Sequence, residues 1–241
     1  MEHDAPIYWQ NIIDSANDKT LKEENHSILG LQFPEIFPEL VVPHNWQEHE
    51  QYYGNLSNHF PVRKIRGFTW EQHKSVSIND PHLHLSICIT AIEQMMELAR
   101  HGLIIGDRNS GNFILEEMSS GNVVSGKSKF RLIQVDLSHA YDVANGEWRL
   151  NKQTWYPKRH LDLSKFSDHS KELLFDEIKT ILSSLRYYLF SLPSRKRPSS
   201  YNRITEKIDT WIKFGKDYFT KDPNFIDDVL TELQQYQSSD F

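Results

Sequence analysis

Apolar positions recur at helical spacing in two long stretches and at strand spacing in several short ones. Leu83, Leu85, Ile87, Ile89, Ile92, Met95, Met96, Leu98 and Ala99 make a wide apolar face, with Asp80-Pro81 ahead of it and His101-Gly102 behind. That pattern predicts a helix over 82–101. Leu173, Leu174, Ile178, Ile181, Leu182, Leu185 and Leu189 predict a second over about 171–191. A basic loop from Pro193 to Pro198 then leads to two more, near 202–219 and 224–237. Between the long helices, Leu103-Ile104-Ile105 reads as a short strand. Phe113-Ile114-Leu115 and Phe130 to Val135 read as a hairpin whose connection carries Gly121 and Gly126. Upstream, Leu21, Ile28 and Leu31 predict a helix over 18–31 that Pro34 and Pro38 end. Residues 39–43 and 60–66 read as strands, with a turn at Gly67. Residues 136–170 read as irregular. This order is an α+β layout, mostly helical after residue 80.

Composition narrows the function classes. The chain has 241 residues, 27 basic and 33 acidic, for a net charge of −6, and 12% aromatics. It is long enough for a real core and too aromatic for disorder. Mild acidity gives no reason to expect a nucleic-acid partner. No apolar run approaches a membrane span, and Met-Glu-His-Asp-Ala-Pro is not a signal peptide, so a cytoplasmic location is expected. A single cysteine, Cys88 in an apolar helix, excludes an internal disulfide framework and a Cys-based zinc site; core packing is its expected role. The ten glycines include no Gly-x-Gly, so the usual glycine-rich phosphate cradles are missing.

Candidate chemistry lies in residues 101–136. An aspartate, Asp107, follows one strand; Asn112 comes five residues later; the hairpin follows, and Asp136 ends its second strand. Two aspartates and an asparagine set around one hairpin make this the chain's candidate polar site. The competing reading is an Asx-rich turn between two strands, with Asp136 as a cap. A calcium loop fits poorly, because Asn112 and Met118 stand where that loop needs Gly and Glu. His82-x-His84, at a helix start, reads as a surface pair rather than a metal site, because i, i+2 side chains diverge on a helix. Arg195-Lys196-Arg197 reads as a solvated turn.

The run Gly106-Asp107-Arg108-Asn109-Ser110-Gly111-Asn112, followed by the strands and Asp136, resembles the protein-kinase-like superfamily, including its aminoglycoside-phosphotransferase branch. The resemblance implies a mainly helical C-lobe over 71–241 and a small, truncated N-lobe with hinge over 1–70. It makes Asp107 the catalytic base and Asn112 and Asp136 the metal ligands, with ATP and Mg²⁺ as cofactors. Val62 to Trp70 looks like the last N-lobe strand and hinge, so Lys64, Ile65, Arg66 and Gly67 would meet the nucleotide. Residues 18–38 look like the N-lobe helix and the loop after it, with Phe33-Pro34 in that loop. Glu24 then falls near the glutamate that pairs the nucleotide-binding lysine, although a solvated face accounts for it equally. Asp176-Glu177 looks like the opening of the buried C-lobe helix, with either acid in the key place.

Departures from the family are as specific. The strands ahead of the N-lobe helix, the glycine-rich loop and the β3 lysine have no counterpart. Asn109 stands where protein kinases place Lys, with Arg108 as a substitute; Ser138 stands where Gly is usual; no Ala-Pro-Glu closes the segment after Asp136. The reading is an ATP- and Mg²⁺-dependent phosphotransferase acting on a hydroxyl of a protein or small molecule. The alternative is a degenerate pseudokinase serving as a non-catalytic protein-binding module. A protein partner completing the N-lobe is a third possibility.

Overall fold

The computed structural model describes residues 33, 35–38, 65–75, 80–117, 130–136, 139–144, 146–148, 163–222 and 224–239. The expected helix over 18–31, the strand over 39–43 and most of the strand over 60–66 lie outside them. So do Glu24 and Lys64.

In chain order the elements are β1 (Gly67–Thr69), α1 (Trp70–Ser75), α2 (Pro81–Arg100), β2 (Leu103–Ile104), β3 (Phe113–Glu117), β4 (Phe130–Gln134), β5 (Tyr141–Asp142), α3 (Asp168–Ser191), α4 (Tyr201–Lys221) and α5 (Phe225–Ser239). Single 3₁₀ turns at Leu163–Lys165 and Ser194–Lys196 precede α3 and α4. The layout is α+β and mostly helical, as the apolar spacing predicts.

α2 is the centre. The Asp80 side chain accepts the Leu83 N–H at 3.1 Å and Pro81 fills the first turn, so the helix starts where its free N–H groups are covered. Leu85, Cys88, Ala91, Ile92, Met95 and Ala99 are all at 0% exposure, which leaves the helix apolar on most sides. It packs against α3, α5 and β2, and α3 packs in turn against α4. Burial pushes the Cys88 thiol well above its usual range, as expected of a core cysteine. No helix among the described residues is long and apolar enough to cross a membrane.

Several local expectations need correction. Ile65 and Arg66 carry no strand, and the strand begins at Gly67, which is therefore no turn. Its partner strand passes so close that a Cβ on Gly67 would lie 1.9 Å from the Leu115 carbonyl oxygen, so glycine is the residue that fits. The segment 136–170 is not irregular throughout: it holds β5, a 3₁₀ turn and the first turn of α3. α3 starts at Asp168, where Ser167 accepts the Ser170 N–H at 3.1 Å, so Asp176 and Glu177 lie well inside it. His84 is fully buried rather than on the surface. Its Nδ1 accepts the Trp70 Nε1–H at 2.8 Å, and its ring stacks on Tyr188, so α1, α2 and α3 meet there. The basic turn, by contrast, is exposed at Arg195, Lys196 and Arg197, as its reading as a solvated turn expects, and Arg197 also donates to the Leu192 carbonyl and lies over the Tyr201 ring.

Two small antiparallel sheets stand above the helices. One has the order β1-β3-β4 and the other pairs β2 with β5. Residues 35–38 turn back on Phe33, whose carbonyl accepts from the Ile36 and Phe37 N–H groups. Phe37 is buried against Leu98, Leu103, Ile105 and Ala140, and the Ile36 carbonyl accepts the Gln134 N–H at 2.8 Å.

Candidate active site

Strand pairing decides which loops meet. Ile104 faces Tyr141 in the smaller sheet, and Phe113 faces Gln134 in the larger. The chain therefore crosses from one sheet to the other twice, through 105–112 and between β4 and β5, and the described residues of the two crossings touch at Val135 and at His139. Asp107 and Asn112 lie on the first and Asp136 on the second. Backbone bonds tie the crossings: the Val135 N–H donates to the Asn112 carbonyl at 2.8 Å. Gln134 is fully buried, and its Nε2 donates to the Asp107 carbonyl at 3.4 Å and the Val135 carbonyl at 2.8 Å.

Gly106 shows how tightly the first crossing is held. Its φ is +86°, and a Cβ there would lie 2.5 Å from the His139 carbonyl oxygen of the second crossing. Only glycine meets both demands. On its other side the Gly106 N–H donates to Glu177 Oε1 at 2.6 Å.

Glu177 settles which acid of α3 is the buried one. Asp176 is exposed, whereas Glu177 is 1% exposed. It accepts from Gly106 and, at 3.3 Å, from Arg108 Nε, and Arg108 is itself at 0% exposure. Burial raises the Glu177 carboxyl above its usual range while Arg108 and the Gly106 and Ile105 N–H groups draw it down; burial likewise lowers the Arg108 guanidinium. Arg108 thus points into the body, with Nη1 toward the Ala91 carbonyl at 3.4 Å, so the expectation that it substitutes for the lysine of protein kinases is not met. Helix phase held the signal for Glu177: it lies three after Leu174 and four before Ile181, on the apolar stripe, while Asp176 is off it.

Asp107 is half-buried and held at both carboxylate oxygens. Asn109 Nδ2 donates to Oδ1 at 2.7 Å, and Asn112 Nδ2 donates to Oδ2 at 3.0 Å and to the Asp107 carbonyl at 3.2 Å. Asp136 is exposed and has φ +60°, the one non-glycine among the described residues in the left-handed region. That conformation is uncommon for a residue with a Cβ and concentrates where function demands it.

The structure therefore brings Asp107, Asn112 and Asp136 to one junction. It sets Ile65, Arg66 and Gly67 apart from them: Gly67 pairs with Glu116, four residues along β3 from Asn112, or about 13 Å at strand rise. α1 joins the two, because the Glu71 N–H donates to the Ser110 carbonyl at 3.0 Å. Sequence reasoning noted Asn109 only as a departure from lysine, although its contacts are those of a local Asx turn, and missed Gln134, whose contact with the Asp107 carbonyl spans 27 residues. Among the described residues no three His, Cys, Asp or Glu cluster as a metal cage. A divalent ion at Asn112 and Asp136 would need phosphate oxygens and water to complete its shell, which is how Mg²⁺ is usually held with a nucleotide. No family model matches the chain, and neither a characterised protein nor a solved structure is significantly similar to it.

Proposed function

We propose that the chain is a kinase-like phosphotransferase that moves the terminal phosphoryl group of Mg²⁺-ATP to a hydroxyl. The observation that carries this reading is the double crossing between the two sheets. It joins a carboxylate clamped by amides, Asp107, to an asparagine and to a second aspartate held in left-handed backbone. Phosphoryl transfer asks a protein mainly for positioning and charge neutralisation. Asp107 has the acceptor-only chemistry to orient a hydroxyl and take its proton as the hydroxyl oxygen bonds to the terminal phosphorus and the bridging P–O bond to ADP breaks. Asn112 and Asp136 supply the hard oxygens that Mg²⁺ prefers, and the ion would neutralise phosphate charge. Ile65, Arg66 and Gly67, at the far end of β3, would address the other end of the nucleotide.

The test is thermal unfolding with ATP, with and without Mg²⁺, together with phosphate release and self-transfer. ATP at 100 times its Kd stabilises the chain by ~2.7 kcal/mol. Asp136→Asn abolishes the Mg²⁺-dependent part of that shift. Asp107→Asn keeps the shift and lowers transfer by ~10²–10⁴. Wild type that shows no shift at millimolar ATP and Mg²⁺ removes the phosphotransferase reading and leaves the binding-module alternative. A shift that appears only with a second chain present favours a completed N-lobe.

A further inference from the structure

We infer that Asn109 is the positioning residue for Asp107, fixing the carboxylate with a neutral amide where a cation would both hold and discharge it. The inference rests on the phosphotransferase reading of this site.

Asn109 is locked from both ends. Its Nδ2 donates to Asp107 Oδ1 at 2.7 Å, and its Oδ1 accepts the Gly111 N–H at 2.8 Å. The reverse amide orientation would set an oxygen against the carboxylate and an NH₂ against an N–H, so the contacts themselves select this one. The backbone is fixed as well: the Asn112 N–H donates to the Asn109 carbonyl at 3.1 Å, closing a turn over Ser110 and Gly111. That turn also brings Asn112 Nδ2 to the other oxygen of Asp107 at 3.0 Å. One turn therefore aims two amides at one carboxylate and fixes the plane of the group. Each carboxylate oxygen has roughly two acceptor directions, so each keeps one beyond the amide it already holds.

Charge is the second half of the argument. The guanidinium next in sequence, Arg108, is buried on Glu177. Both clamping groups are neutral, so the negative charge that makes Asp107 a proton acceptor is held in place without being paired to a cation by them. A lysine at position 109 would hold the carboxylate through its charge; Asn109 holds it through geometry alone.

The experiment uses the full chain with Mg²⁺-ATP and reads transfer to water and to the chain itself. Two variants keep the turn but alter the clamp. Asn109→Asp can still accept the Gly111 N–H, but it sets a carboxylate against Asp107. Asn109→Ser can still form the turn with its hydroxyl, but it is too short to span to Asp107. We expect kcat to fall about 10–100-fold in both, the scale of a misplaced reacting group, with KM for ATP within about two-fold of wild type. A turn-forming role alone predicts wild-type kcat and KM in whichever variant folds, as judged by its melting temperature; that result overturns the assignment and leaves the phosphotransferase reading standing. Wild type with neither transfer nor Mg²⁺-dependent ATP binding overturns both together.

Discussion

The helical body and the loop junction above it are stabilised by different physics. In the body, Leu85, Ile92, Met95, Ile178, Ile181 and Leu185 are fully buried, and their contribution is non-directional and proportional to the area removed from water. At the junction the contributions are directional. Asp107 takes two side-chain amides, Gly106 is gripped between Glu177 and His139, and Asp136 is held in a conformation that a side chain disfavours. Exchanging one apolar side chain for another of similar size is tolerated in the body. At the junction a single atom changed from donor to acceptor reverses the sign of a contact. Precision has been placed where chemistry would need it, on a base that does not.

The sharpest way to break that division is at Glu177, a side chain of the body that bonds the junction. Glu177→Ala leaves Arg108 buried without its counter-charge and frees the Gly106 N–H, so a loss of about 3–5 kcal/mol is expected in urea unfolding. The double variant Arg108→Met with Glu177→Gln removes both charges and should cost less than the single one. A double variant as unstable as Glu177→Ala would mean that Arg108 contributes nothing through its charge.

Ile92→Ala tests the body alone. At 0% exposure on the central helix, it should cost about 2–5 kcal/mol while nucleotide binding persists in the folded fraction. A loss below about 0.5 kcal/mol would mean that this face of α2 is not the core.

Asp136→Gly tests the junction alone, and its sign is the opposite. Glycine accepts φ +60° at no steric cost, so relief of strain should offset the freedom glycine adds to the unfolded chain and raise stability by up to ~1 kcal/mol. The same change removes a proposed metal ligand, and Mg²⁺-dependent ATP stabilisation should vanish. A variant that is less stable than wild type would show that Asp136 contributes more through its side-chain contacts than its backbone costs.

The last effect is confined to alkaline pH. Burial, reinforced by the Asp80 carboxylate, pushes the Tyr188 phenol up to about 12 from an ordinary value of 10.0. A group whose pKa is raised by folding contributes stability that is complete below pH 10 and is lost as pH climbs toward 12. Melting temperature should therefore fall less steeply over that window in Tyr188→Phe than in wild type. Parallel curves would place the alkaline loss elsewhere.

The same division explains what could be read from the chain. α2 was legible to within a residue, because its periodicity, its Asp80 cap and its His101-Gly102 stop all agree. The β3–β4 hairpin and the Asp107, Asn112 and Asp136 spacing were legible for a related reason: they are local. β5 was not. Two residues make no pattern, and Tyr141 and Asp142 are a strand only because Leu103 and Ile104 lie beside them. Arg108 misled because a charged residue in a loop is ordinarily solvated; its buried partner lies 69 residues away. His84 misled in the same way, since nothing near it in sequence announces Trp70 and Tyr188 as its neighbours.

The bond from Gly106 to Glu177 spans 71 residues of chain. As the protein emerges from the ribosome at about 5–20 residues per second, the Asp107 loop is made several seconds before the helix that anchors it. During that interval α2 and the hairpin can form from local contacts, but Gly106 has no carboxylate to bind and Arg108 no anion to meet. The centre proposed for chemistry is then among the last parts of the molecule to take its final shape, and its completion reports that α3 has docked. An incomplete chain ending ahead of α3 would carry every residue of the Asp107, Asn112 and Asp136 constellation and still be unable to hold it in place.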